Sequence, residues 1–187
     1  ERQKFVGYQS AFIGLAGVLF MVLGGILASA HWRMPFLVYL FSLLLIPMSF
    51  FFLKGPTSAK EGTSAAPPTM NRALLGLFPI GTLFMVLFYL MPTQLPFLLR
   101  SVGIDAPSYA GYALAINALG MVFSSFSYSA VKKRMSFLQV AFIALILMGS
   151  GYFLTGYSVS FQAVLASVFL AGLGLGLFIA NLTLWVL

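Results

Sequence analysis

Phe161-Gln-Ala-Val-Leu-Ala-Ser-Val-Phe-Leu-Ala-Gly-Leu-Gly-Leu-Gly-Leu-Phe-Ile-Ala-Asn-Leu-Thr-Leu-Trp185 runs without a charged side chain. A helix of that length crosses a hydrocarbon core, which takes about 20 apolar residues. Five runs of the same kind precede it: Gln9–Ala30, Phe36–Leu53, Ala73–Leu98, Ser108–Val131 and Phe137–Thr155. Hydrophobic residues make up 61% of the 187-residue chain and charged ones 7%, with a mean hydropathy of +1.04. A water-soluble chain of this size has no interior large enough for so much apolar surface. A membrane β-barrel would show alternating segments of about 10 residues, whereas these runs are continuous and rich in Leu, Ala, Gly and Phe. The expected fold is therefore all-α: a polytopic transmembrane helical bundle of six spans.

The basic residues orient that bundle. Arg2 and Lys4 precede the first span, Lys54, Lys60 and Arg72 fall between the second and third, and Lys132, Lys133 and Arg134 form a turn between the fourth and fifth. The alternate loops hold only Arg33 and Arg100. Lys and Arg accumulate in short cytoplasmic loops, so the N-terminus, the 54–72 loop and the 132–136 turn are expected on the cytoplasmic side of a plasma membrane, the inner membrane in a bacterium. This dispersal also accounts for the net charge of +7. Attraction to anionic headgroups explains it without a nucleic-acid groove, and no nucleic-acid partner is expected.

Chemistry-bearing side chains are few. Cysteine is absent, which removes thiolate catalysis and cysteine-based metal sites. The single histidine, His31, stands beside Trp32 at a span boundary, where an interfacial anchor is the plainer role than a metal ligand. No Asp, Glu, Lys or Arg lies inside any of the six runs, and Asp105 and Glu61 are loop residues. With no nucleophile elbow, no phosphate-cradling loop and no carboxylate pair, the chain does not read as an enzyme, and neither cofactor nor metal is expected.

Residues 54–72, rich in Pro, Ser, Gly and Thr, have linker composition. They divide the chain into a two-helix piece, 1–53, and a four-helix piece, 73–187. The remaining connections are short, so helices within each piece are expected to be antiparallel neighbours. The start at Glu1 and the end at Leu187, inside an apolar run, suggest part of a longer membrane protein.

Gly7, the pair Gly24-Gly25 and the turn Trp32-Arg33-Met-Pro-Phe36 resemble the glycine-rich fifth helix of a major facilitator superfamily transporter and its turn into the sixth. Phe20-Met21 replaces that pattern's central Gly-Pro pair. Lys132-Lys133-Arg134 is similar to the basic end of the family's signature turn, without its Asp and Gly, and Ala171–Asn181 resembles the glycine-rich tenth helix of bacterial drug-efflux members. The resemblance implies a partial major-facilitator-type fold covering the fifth to tenth helices, with 54–72 as the loop between halves. It further implies a secondary transporter working by alternating access, whose partners are the lipid bilayer, a small-molecule substrate and protons as a candidate coupling ion. The absence of fixed charge in the spans favours a lipophilic or amphipathic substrate, and the resemblance of the glycine-rich first span and the Trp-Arg-x-x-Phe turn implies export. Uptake of a sugar or polar metabolite, or a non-transporting scaffold, are the alternatives.

Candidate residues follow from helical spacing. On the fourth span Ala113, Asn117, Gly120, Ser124, Ser127 and Tyr128 make one small polar face, expected to line a cavity together with Tyr89, Gln94 and Met21, and with Asn181 on the sixth span. An interhelical hydrogen bond is the competing role for Asn117 and the stronger one for Asn181. Met85, Phe88 and Met121 offer adaptable apolar contacts. Gly24 with Ala28, Gly25 with Ser29 and Gly172 with Gly176 are small-residue pairs suited to close helix packing or to sliding between transporter halves. Pro47 and Pro79 are expected to kink their helices, whereas Pro92 and Pro96 are expected to end the third.

Overall fold

The structure, a computed structural model, describes residues 2–52 and 72–186. They form α1 (Arg2–Ala30), a 3-10 helix (Met34–Leu40) continuing into α2 (Phe41–Phe52), α3 (Arg72–Ser101), α4 (Pro107–Lys132), α5 (Phe137–Gly156) and α6 (Phe161–Val186). Among the described residues there is no strand, and six segments are long and apolar enough to cross a membrane. The expected linker, but for Arg72 at the start of α3, lies outside the described residues, as do Lys54, Lys60 and Glu61.

One prediction about α3 needs correction. Pro92 and Pro96 do not end the helix, which runs through both to Ser101. A proline deletes one backbone donor and pushes on the carbonyl four residues back, which a membrane helix tolerates when nearby groups satisfy what is freed. Pro92 and Pro96 take the helical donor from the Phe88 and Pro92 carbonyls. The side-chain bonds seen here fall on the neighbours of Phe88: Thr93 Oγ1 donates to the Tyr89 carbonyl at 2.8 Å, and the Tyr152 hydroxyl of α5 donates to the Leu87 carbonyl at 3.0 Å.

The end of α3 is set instead by Gly103, whose φ of +83° suits a residue without Cβ. Its N–H bonds the Arg100 carbonyl at 3.0 Å and the Ile104 N–H bonds the Leu99 carbonyl at 2.9 Å. This double closure satisfies the last carbonyls of the helix. Arg100 and Asp105 lie across the same turn at 3.4 Å, both largely in the open, so the pair adds little stability. At the opposite end of the bundle, Ser136 opens α5 with a capping box. Its Oγ accepts from the Gln139 N–H at 3.3 Å while the Gln139 side chain accepts from the Ser136 N–H at 2.9 Å.

Packing follows the small residues. α6 is the central helix, with 61% of its span buried against 39% for α4. Contacts of Gly172 with Asn117 and of Gly176 with Ser124 make α4 and α6 parallel, whereas Gly151 against Ala171 and Gly174 against Ala144 make α5 and α6 antiparallel. α1 lies along the far side of α4, antiparallel to it, with Gly14 at Val122, Gly17 at Ala118 and Gly25 at Gly111. The core forms two clusters. Phe84, Tyr128, Met148, Leu175 and Phe178 pack towards the Lys132 end, and Met91, Leu95, Leu99, Val164 and Val168 towards the Arg100 end.

Candidate functional site: two helix interfaces and a groove

The small polar face predicted on α4 is occupied by α6. Asn117 Nδ2 donates to the Val168 carbonyl at 2.7 Å, Gly120 lies against the backbone of Phe169 and Leu173, and Ser124 sits over Gly176. The Tyr128 hydroxyl, 1% exposed, donates to Asn181 Oδ1 at 3.0 Å. These residues come together as the sequence suggests, but they meet a helix where a cavity was expected. In an apolar medium helices associate through close packing and shared hydrogen bonds, and a small polar face serves both. Ser127 instead bonds its own helix at the Phe123 carbonyl.

Asn181 ties three helices. Besides accepting from Tyr128 of α4, it donates Nδ2 to the Phe137 carbonyl at the start of α5, at 2.9 Å. Asn181→Ala is expected to lower bundle stability by about 1–3 kcal/mol, from two intramembrane hydrogen bonds of about 0.6–1.7 kcal/mol each. Unfolding of the purified protein in detergent measures it. In Tyr128→Phe the same substitution should cost visibly less, and strict additivity of the two would show that they do not share a bond.

Gln94 lies on a groove of about 370 Å³ between α3 and α5, with Met91, Leu98, Ser101, Tyr152 and Thr155. The groove is chiefly apolar. Thr155 is already committed to the Gly151 carbonyl and Ser167, and Tyr152 to Leu87. Tyr89, 62% exposed, points away from the bundle, as does Met85. The structure therefore does not gather Tyr89 with Asn117, Ser124 and Tyr128. A second groove of about 330 Å³, between Phe84, Phe142 and Phe178, is almost wholly apolar.

The second interface joins α1 to α4. A Cβ built on Gly25 would stand 2.9 Å from Gly111 Cα and 3.3 Å from Ser108 Cα. One built on Gly111 would stand 2.7 Å from the Met21 carbonyl. Nothing larger than hydrogen fits at either position while the helices remain this close. Gly24, by contrast, has no neighbour within 4 Å of such a Cβ, so only one of the two adjacent glycines makes the contact. Met21 is half-buried in this interface and contributes backbone to it. Gly111 and Ser108 are not singled out by the sequence reading, although Gly111 and Ala115 have the four-residue spacing of small residues that marks a close-packed face.

The charged ends differ. Lys132 is engaged, donating Nζ to the Met135 carbonyl at 3.2 Å and lying 3.6 Å above the Phe137 ring, while Lys133 and Arg134 are exposed. At the opposite end the Arg33 guanidinium lies 4.7 Å over the Trp32 ring, and His31 stacks on the same indole at 6.0 Å. Among the described residues no cluster of His, Cys, Asp or Glu could hold a metal ion.

Residues 1–187 match the family model described as Major Facilitator Superfamily. The chain belongs to that superfamily. The curated proteins and the solved structures contain no match to it. Superfamily membership makes the chain an integral membrane protein of the secondary-transporter class, with a small-molecule substrate and the lipid bilayer as its surroundings. The six-helix bundle is a partial version of the superfamily fold.

Proposed function

We propose that the chain forms the junction between the two halves of an alternating-access transporter. In this reading 1–53 ends one half, 54–72 is the cytoplasmic linker and 73–187 belongs to the other half. The observation that carries it is the Gly25–Gly111 contact. It joins helices from opposite sides of the linker by backbone alone, and its surface is smooth enough for one helix to rock on the other. The α1–α4 interface carries the bond from the Ser108 N–H to Ser29 Oγ at its outer margin, whereas the α4–α6 interface carries side-chain bonds along its length. Its interhelical hydrogen bonds, Asn117 to Val168 and Tyr128 to Asn181, suit a contact that stays closed.

Orientation follows the basic residues. Lys132, Lys133 and Arg134 face the cytoplasm, and the Gly25–Gly111 contact closes the outer end. The substrate is lipophilic or amphipathic, because the six spans offer no charged side chain to clamp a polar solute, and the resemblance of the glycine-rich first span supports export. Gln94, with Met91 and Tyr152 on the α3–α5 groove, is the best-placed contact for it, with the Asn117, Ser124 and Tyr128 face reached only if α4 and α6 part. Protons are the proposed coupling ion, drawn through parts of the transporter other than these spans.

Reconstituted vesicles provide the test. Export of a panel of lipophilic dyes should depend on the protein and respond to an imposed pH gradient. Absence of flux for every dye, alongside accumulation of a sugar or another polar metabolite, would favour uptake instead.

A further inference from the structure

α4 begins without a cap of its own. Its N-cap position is Ala106, whose side chain has no acceptor, and Pro107 occupies the first turn. The first amides of a helix have no partner within the helix, and a side-chain oxygen at the N-cap ordinarily accepts from one of them. Here the acceptor comes from another helix. Ser29 Oγ of α1 accepts from the Ser108 N–H at 3.1 Å, and the same hydroxyl donates to the Gly25 carbonyl at 3.1 Å. Ser29 and Gly25 are one turn apart on α1, as Ser108 and Gly111 are on α4, so the borrowed cap sits beside the Gly25–Gly111 backbone contact.

We propose that Ser29 is a positioning residue for the transport cycle: a cap supplied in trans, made only while the outer ends of α1 and α4 are together. When the helices part, Ser29 keeps its bond to Gly25, and the Ser108 amide is left for water at the bilayer boundary. The cap therefore biases the transporter towards the outwardly closed state without locking it. This rests on the alternating-access reading above. Losing one cap changes a two-state ratio about fivefold.

The chain has no cysteine, so single reporter cysteines can be introduced cleanly. Ala115→Cys reports on the outer part of the interface, lying on α4 between Gly111 and Ala118, 4% exposed. Ser129→Cys, half-buried and five turns from Gly111 on the same face of α4, reports nearer the Lys132 end. In the full protein in vesicles, Ser29→Ala should raise labelling of the Ala115→Cys reporter by an impermeant maleimide from outside about fivefold. It should lower labelling of the Ser129→Cys reporter from inside by a similar factor, and Ser29→Thr should restore both. Ala106→Ser, which gives α4 its own cap, should make Ser29→Ala silent.

Gly25→Ala, which drives the same helices apart, is the independent control on the reading itself. If it makes the two reporters trade accessibility and Ser29→Ala does not, the latch is overturned while alternating access stands. If Ser29→Ala exposes the outer reporter without protecting the inner one, Ser29 only prevents fraying of α4, and the proposal fails. If neither substitution moves either reporter, both the latch and the reading fall.

Discussion

Gly172→Leu is expected to lower the stability of the helical bundle by about 2–4 kcal/mol. A Cβ at Gly172 would run into the Asn117 carbonyl, with the Asn117 carbonyl carbon at 2.9 Å and its Cα at 3.2 Å behind it. All three are backbone atoms of a continuous helix and cannot turn aside as a side chain would. α4 and α6 must then separate, and the Asn117–Val168 hydrogen bond stretches with them. Overpacking alone costs about 1–3 kcal/mol, and the intramembrane hydrogen bond adds about 1 kcal/mol. Gly149→Leu is the matched control, since nothing lies within 4 Å of a Cβ there. Thermal and denaturant unfolding of the two variants in detergent should differ sharply. Equal losses would mean that helix propensity, not the α4–α6 contact, decides the outcome.

The two glycines show how far such a protein can be read from its sequence. The six spans were legible because an apolar run of membrane length has few other uses, and all six appear as helical segments. The polar face of α4 was legible as a face, because Asn117, Gly120, Ser124 and Tyr128 recur at helical spacing. What it faces was not. Packing partner and cavity demand the same small polar residues, and only the position of α6 separates them. Gly24 and Gly25 are a similar case, since adjacent residues on a helix point about 100° apart and either could have met α4. Pro92 and Pro96 were misread because proline is weighed as a helix breaker in water. The Tyr152 hydroxyl that bonds the Leu87 carbonyl of α3 is 65 residues away in sequence. Tyr89 and Gln94 both belong to α3 but lie on different sides of it, and spacing alone ties neither to the α4 face.

Gly25→Leu should leave the bundle folded and still reduce transport about tenfold or more. Its Cβ would lie 2.9 Å from Gly111 Cα and 3.3 Å from both Ser108 Cα and the Ser108 carbonyl, so α1 must move off α4 by more than a side-chain adjustment. The hydrogen bonds that hold α4, α5 and α6 together do not pass through this contact. The strain of about 1–3 kcal/mol is therefore imposed chiefly on whichever state brings Gly25 and Gly111 together. In the alternating-access cycle proposed above, a bias of that size on one side depopulates the outwardly closed state about 5- to 150-fold. Transport requires both states, so turnover falls while melting behaviour stays near that of the parent. Gly24→Leu adds the same side chain one residue away where nothing lies within 4 Å, and should transport normally. Vesicle flux and unfolding measured on both variants separate the possibilities. Normal flux in Gly25→Leu would refute a moving α1–α4 contact, and a parallel collapse of stability would make it a fixed structural one.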